Sequence, residues 1–500
     1  MYVMKAEKEK SGQNKEDVKN ILFVSSELAP FSKVGGLGDV VGSLPAAVCK
    51  AGADVRVLTP AYGSANGKGG VLDKVRKKHK VRKLPLPVVV ALGNVPVYCA
   101  VYETNIDGVR IWFLECPDFL PETVYPHYIN PATIRPFVIL CLAALELYRA
   151  VKWVPDVFHC HDWPTALLPI VLKWHSYYSG LHKNSKSVFT IHNLAHQGIF
   201  YPEDFFSLTG IDMNCFNPDG IEFYNSINLL KGAIVASGKI TTVSPTYATE
   251  IKTPEGGAGL DGVLRKHSAK LFGILNGIDT DYWQPETDEN IASAYSVSDL
   301  SGKKVNRAEL IDKCSWKDDG KPLIVCVSRL TEQKGFDLIL PAIPRLIKSG
   351  ARYIFLGTGS SYIEEGLYKA QQAHPNEIKF FKGYDEKLSH LIYSGGDMFL
   401  MPSLFEPCGL SQMISMRYGT IPIARAVGGL ADTVINVSSN GYGNGFLFYD
   451  YTQDSMLFAI ARAIELFSDD TNWVELMKRG MQADFSWDRS AAYYLNIYRS

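Results

Sequence analysis

No apolar run in the 500 residues approaches the roughly 20 that a membrane-spanning helix needs, so no bilayer partner is expected. Cysteine is sparse and scattered. Nine residues lie between Cys49 and Cys408, with no C-x-x-C among them. That excludes a disulfide framework and a zinc ribbon, and it suits a reducing compartment. Charge of one sign is also missing: 51 Lys and Arg face 52 Asp and Glu, for a net charge of −1. Nothing in that balance attracts nucleic acid or an anionic surface. A local basic pocket for phosphate remains open, because a whole-chain sum hides local fields. The first twenty residues mix Lys5, Lys8, Lys10 and Lys15 with Glu7, Glu9, Glu16 and Asp17. They lack a signal peptide's apolar centre and carry acids that a transit peptide avoids. Residues 1–20 read as a solvated, disordered leader.

What remains is long enough for two hydrophobic cores. Ile21–Ser26 is a buried strand pattern, followed by Gly35-Gly36-Leu37-Gly38, a helical stretch from Val40 to Cys49, and a strand at Val55–Thr59. Val157–Cys160 and Ser187–Ile191 continue the series. The order restarts after Gly277 with strands at Leu323–Ser328, Tyr353–Leu356, Met398–Met401 and Ile421–Ala424, and a helix over Phe336–Lys348. Strand, glycine turn, helix and strand open a doubly wound α/β sheet, and two such halves leave a cleft at their strand ends. The boundary falls near Lys270. A single large α/β domain with insertions is the plainer alternative.

Several segments carry chemistry. In Lys33–Asp39 the glycines let backbone amides approach an anion, and the helix that follows adds partial positive charge. Val41 replaces the third glycine of a dinucleotide fingerprint, and the P-loop ending is missing, so neither nicotinamide binding nor ATP hydrolysis is indicated. Arg329 and Lys334, after the first strand of the second half, suit a diphosphate leaving group; a surface ion pair of Arg329 with Glu332 is the bland reading. Glu406 opens Glu406-Pro407-Cys408-Gly409-Leu410-Ser411 at a strand–helix junction. There it faces positive charge on a sugar carbon, binds hydroxyls, or serves as an ordinary helix-start acid. Cys408 reads as a small buried residue rather than a nucleophile. His159, His161 and Asp162 resemble part of a metal set, but alternation puts both histidines on one face and further ligands would be needed. His192-Asn193 ends a strand where cleft residues are expected.

Read in order, these segments resemble the bacterial glycogen synthases and plant starch synthases. The carriers are KVGGLGDV (33–40), HCHDW (159–163), TIHNLAHQG (190–198), TTVSPTYATEI (241–251), GILNGID (273–279), VSRLTEQKG (327–335), SLFEPCGLSQM (403–413), GGLAD (428–432) and DFSWDRSAAYY (484–494). The resemblance spans nearly the whole chain. It implies the GT-B glycosyltransferase fold: two Rossmann-like domains facing a central cleft, here 21–270 on the acceptor side and 271–484 on the donor side. A terminal helix, 485–500, would cross back to the first domain. The implied reaction moves glucose from ADP-glucose to the non-reducing end of an α-1,4-glucan with retention, without metal or other cofactor. The implied catalytic group is Glu406, His192, Arg329 and Lys334. Lys33, Gly35, Gly36, Asn276, Cys408, Gly409, Leu410 and Ser411 would join Arg329 and Lys334 around the donor, and Asp39, Asp162 and Asn193 would line the cleft. Val34 and Ser411 depart from the commoner Thr at both places without removing a presumed catalytic group. A related transferase with another acceptor and a catalytically silent glucan-binding homologue are the rivals. The cytoplasm is the expected location, with a plastid stroma as the alternative.

Overall fold

The computed structural model describes residues 19–64, 69–119, 124–438 and 441–500. The leader expected over 1–20 lies almost wholly outside the described residues.

Two large sheets organise the described residues, and a three-stranded one joins Ile199–Phe200, Glu222–Phe223 and Ser226–Asn228. The first has ten strands, and its central parallel run follows the spatial order Leu271–Gly273, Lys239–Thr242, Lys186–Ile191, Val157–His161, Asn20–Val24, Asp54–Pro60 and Val109–Glu115. The second has six parallel strands, ordered Ile378–Lys382, Arg352–Gly357, Leu323–Val327, Met398–Met401, Ile421–Arg425 and Phe446–Phe448. Numbered along the chain, that is 3-2-1-4-5-6, the doubly wound order whose direction reverses between its first and fourth strands. The central strands are apolar on both faces because helices cover both sides. Ile21, Leu22, Phe23 and Val24 are all buried, as are Leu323, Ile324, Val325 and Cys326.

Strand ends differ from the sequence reading by one or two residues, as in Arg352–Gly357 against 353–356. The helix expected from Val40 begins at Gly36, placing Gly36–Gly38 in its first turn. The antiparallel edge escaped that reading: Val95–Ile106 pairs with both Val88–Leu92 and Val109–Glu115. Its burial alternates along Val88–Leu92 and Val95–Ile106, one face being solvated, although the apolar residues themselves do not alternate.

Two switch points follow from the strand order. In the first sheet Asn20–Val24 lies between Asp54–Pro60 and Val157–His161. The loops after Asn20–Val24 and Val157–His161 carry Lys33–Asp39 and Asp162. In the second sheet the corresponding loops carry Arg329 with Lys334, and Glu406. The terminal helix Trp487–Arg499 returns to the first half, where the Tyr498 hydroxyl meets His159 Nδ1 at 2.8 Å.

Candidate active site

On the first half, the loop after Asn20–Val24 is organised by a residue that sequence reading missed. Glu27 is 2% exposed; its Oε2 accepts the Val34 and Gly35 amides at 2.7 and 3.0 Å. The Tyr125 hydroxyl donates to Oε1 of the same carboxylate. Two amides of the glycine loop, expected to face an external anion, therefore face an internal one. Lys33 pairs with Asp39 at 2.7 Å. Burial raises the Asp39 carboxyl and Lys33 only partly offsets it. Burial opposes the Lys33 charge, but Asp39 outweighs it and the ammonium is held above its usual range. Tyr384 and Glu386, from the second half, add to that field.

Asp162 takes a left-handed conformation, φ 55°, directly after Val157–His161. The turn aims its Oδ1 at the next strand end, where it accepts the His192 amide at 2.7 Å and the Asn193 amide at 3.4 Å. Burial pushes the Asp162 carboxyl up to about 7 despite these bonds, and nearby Glu27 adds to the rise. The Asn193 side chain accepts the Ala195 amide at 3.0 Å and so shapes the turn. His159 and His161 share one face, as alternation requires, with ring centroids 4.2 Å apart. Both ring nitrogens of His159 are occupied, by Tyr498 at 2.8 Å and Thr190 at 2.6 Å. His161 Nδ1 meets His192 Nε2 at 3.0 Å.

On the second half, Glu406 is 5% exposed. Its Oε2 accepts Lys334 Nζ at 2.5 Å and Ser403 Oγ at 3.0 Å. Two positive-φ glycines make this geometry possible. A Cβ on Gly335 (φ 80°) would come within 2.1 Å of the Pro402 carbonyl oxygen, and one on Gly428 (φ 44°) within 2.0 Å of the Glu406 carbonyl oxygen. Arg329 is exposed, with Nη2 3.5 Å from Gln333 Oε1; among the described residues it forms no ion pair with Glu332. Cys408 is buried, which pushes its thiol up to about 12, and the Asn276 amide donates to the Val243 carbonyl at 3.3 Å. A neutral thiol is a poor nucleophile. Asn276 is 6% exposed, and its Oδ1 is a buried acceptor without a protein partner among the described residues. Gly409 (φ 72°) and Leu410 turn the chain into the helix Ser411–Arg417.

The halves meet beside these groups. Ser244 Oγ donates to the Pro407 carbonyl at 2.7 Å, Thr246 binds Asp432 through amide and hydroxyl at 2.9 and 2.7 Å, and the Gly428 amide donates to Glu250 at 2.9 Å. A Cβ on Gly36 would lie 3.9 Å from Leu410 Cδ1, so the two glycine turns approach across the boundary. The structure thus joins Lys334 to Glu406, Lys33 to Asp39, and Asp162 to His192 and Asn193. Among the described residues no hydrogen bond or ion pair links the Lys33–Asp39 pair to the Lys334–Glu406 pair. Glu27 and Tyr125 were missed because they act through each other across a long sequence separation, and Ser403, three residues before Glu406, because a lone serine carries no signal of its own; a lone acid at a strand end was the one available signal for Glu27.

This arrangement has counterparts among known proteins. Residues 20–266 match the profile of the starch synthase catalytic domain, and residues 308–479 that of glycosyl transferases group 1. A glycogen synthase of Myxococcus xanthus is 42% identical over 96% of this chain and 98% of its own. One from Geobacillus thermodenitrificans is 40% identical over 96% and 97%. The catalytic domain of starch synthase IV from Arabidopsis thaliana, solved with ADP and acarbose, superposes with a TM-score of 0.88 at 35% identity, covering 96% of this chain and 98% of that one. A sucrose-phosphate synthase from Thermosynechococcus elongatus shares the fold, with a TM-score of 0.58 at 17% identity over 96% and 98%. The chain belongs to the glycogen and starch synthase family and is a GT-B glycosyltransferase.

Proposed function

We propose that this enzyme transfers glucose from ADP-glucose to the non-reducing end of an α-1,4-glucan, with retention at the anomeric carbon. The observation that carries the reading is the buried Lys334–Glu406 pair at the switch point of the second sheet, where ligands of doubly wound sheets bind. Preference for ADP over other nucleotides is supported by the ADP bound to the Arabidopsis relative. The domains divide as 21–270, 271–484 and 485–500; separate family profiles over 20–266 and 308–479 support the division. Among the described residues no helix is long and apolar enough to cross a membrane, and the cytoplasm is the location this reading assigns.

In this reading Lys334 and Arg329 hold the donor diphosphate. They stabilise the charge that grows on the leaving oxygen, and losing one such group costs about 3 kcal/mol of barrier. Glu406 stands by the transferred glucose as its anomeric carbon becomes positive. Lys33, Gly35, Gly36, Asn276, Cys408, Gly409, Leu410 and Ser411 line the donor. Asp39 positions Lys33, and Asp162 and Asn193 shape the turn that carries His192. Among the described residues no second carboxylate has a claim to a nucleophile's place on the sugar's far face. Departure and attack therefore occur on the same face, and the leaving phosphate takes the acceptor's proton. Closure of the halves keeps water from the donor.

Proton NMR of a maltotetraose reaction tests this directly. ADP-glucose should give a new α-1,4 anomeric signal from the first turnover, and UDP-glucose a much slower one. A β-anomeric product, or equal use of both donors, would refute the assignment.

A further inference from the structure

His161 and His192 share a single hydrogen bond, Nδ1 of His161 to Nε2 of His192, at 3.0 Å. Both rings are held from elsewhere. His161 stacks on Phe23, with centroids 5.3 Å apart, and lies against His159 at 4.2 Å. The His192 backbone is fixed by its amide on Asp162. Burial keeps both rings neutral: it lowers His192 to about 3, and it takes His161 well below its ordinary value, helped by His159 and His192. A neutral imidazole carries one ring proton, so the pair has two arrangements.

In one arrangement His161 donates from Nδ1, its Nε2 is a bare lone pair, and His192 carries its proton on Nδ1. In the other His192 donates from Nε2, and the His161 proton sits on Nε2. His161 Nε2 is buried without a protein partner among the described residues. The second arrangement therefore buries an N–H with nothing to accept it, whereas the first strands only a lone pair. Orphaned buried donors are the rarer and more costly case.

We propose that His161 is a positioning residue that holds His192 as the Nδ1–H tautomer, so that His192 presents a neutral hydrogen-bond donor to the cleft. His192 is 9% exposed, and its Nδ1 is neither hydrogen-bonded to protein nor sealed from solvent among the described residues. The matching ligand group is an acceptor oxygen of the sugar–diphosphate donor, on the hexose or on a phosphate. The inference rests on the reading of His192 as a cleft residue of the transferase and deepens it. With its Nε2 lone pair engaged by His161 and Nδ1 already protonated, His192 has no site to take the acceptor hydroxyl's proton. That proton goes to the leaving phosphate.

The test uses the full chain labelled with 15N-histidine, read by two-bond proton–nitrogen correlations at neutral pH, with the His192 signals assigned by their loss in His192→Asn. The expected result is protonated Nδ1 and bare Nε2 at His192. His161→Phe should abolish that pattern and lower kcat by up to about a hundredfold, the scale of a misplaced catalytic group. His161→Asn, whose amide can donate from the Nδ1 position, should restore both. ADP that moves the Nδ1 resonance identifies a phosphate oxygen as partner; movement with ADP-glucose alone identifies the hexose. A His192 protonated on Nε2, an unchanged tautomer in His161→Phe, or a resonance moved by neither ligand would overturn the proposal. The tautomer is read without turnover, so failure of the transferase reading would show separately, as absent transfer by the wild-type chain.

Discussion

Glu406 and Lys334 are each largely buried, with side chains 7% and 17% exposed, and 2.5 Å apart. Removing one leaves the other charge without its partner, which typically costs about 3–5 kcal/mol when a buried pair is broken. Lys334→Met and Glu406→Gln should therefore each destabilise the fold and lower transfer by about 10²–10³-fold. The double variant should recover stability without recovering activity. Strictly additive losses of stability in a denaturation cycle would contradict the pairing. The histidines supply a second residue-level prediction. His159, His161 and His192 stay neutral when folded, held down chiefly by burial, but bind protons below about pH 6.5 when unfolded. Their stabilisation is present above that pH and is lost as pH falls toward the folded values. Asp162, raised to about 7, acts in the opposite sense, since its unfolded form gives up its proton first as pH rises. With three histidines acting against one carboxyl, these groups together lower stability as pH falls through about 6.5. Melting points measured from pH 7 to 5 should fall steeply, and less steeply in His192→Asn; equal slopes would contradict the account.

At the scale of elements, the site depends on turns only glycine can make. Gly335→Ala would meet both a left-handed backbone and the Pro402 carbonyl. It should cost at least about 1–2 kcal/mol from the conformation alone and displace the Lys334 turn. Unchanged urea midpoints and donor KM would show that the turn tolerates a side chain. This turn also shows what the sequence made legible. Buried parallel strands stand out as continuous apolar runs, so Leu323–Val327 and Met398–Met401 were readable to within a residue or two, and with them the placing of Lys334 and Glu406 at strand ends. The antiparallel strands Val88–Leu92 and Val95–Ile106 were not readable, because their apolar residues continue onto the solvated face and the sequence does not mark the alternating burial. Glu27 was hidden for another reason. Its role lies in accepting amides seven and eight residues ahead and a hydroxyl from Tyr125, and no local pattern encodes those partners. The metal question around His159 and His161 was left open by spacing. The partners these rings do have, Tyr498 and Thr190 on His159 and His192 on His161 Nδ1, lie far off in sequence.

At the scale of the molecule, the halves are joined at several places beyond the linking chain: Ser244 to Pro407, Thr246 to Asp432, Glu250 to Gly428, and the terminal helix seated against His159. These contacts place the loops of both switch points along one boundary, which a two-substrate transferase needs if donor and acceptor are to meet while water is kept out. The charge for the leaving diphosphate comes in this account from Arg329 and Lys334. The most direct test is incorporation of radiolabelled glucose from ADP-glucose into glycogen, with excess EDTA present throughout. The account predicts undiminished incorporation by the wild-type chain and near-complete loss in Glu406→Ala. Incorporation that EDTA abolishes, or that survives Glu406→Ala unchanged, would contradict it.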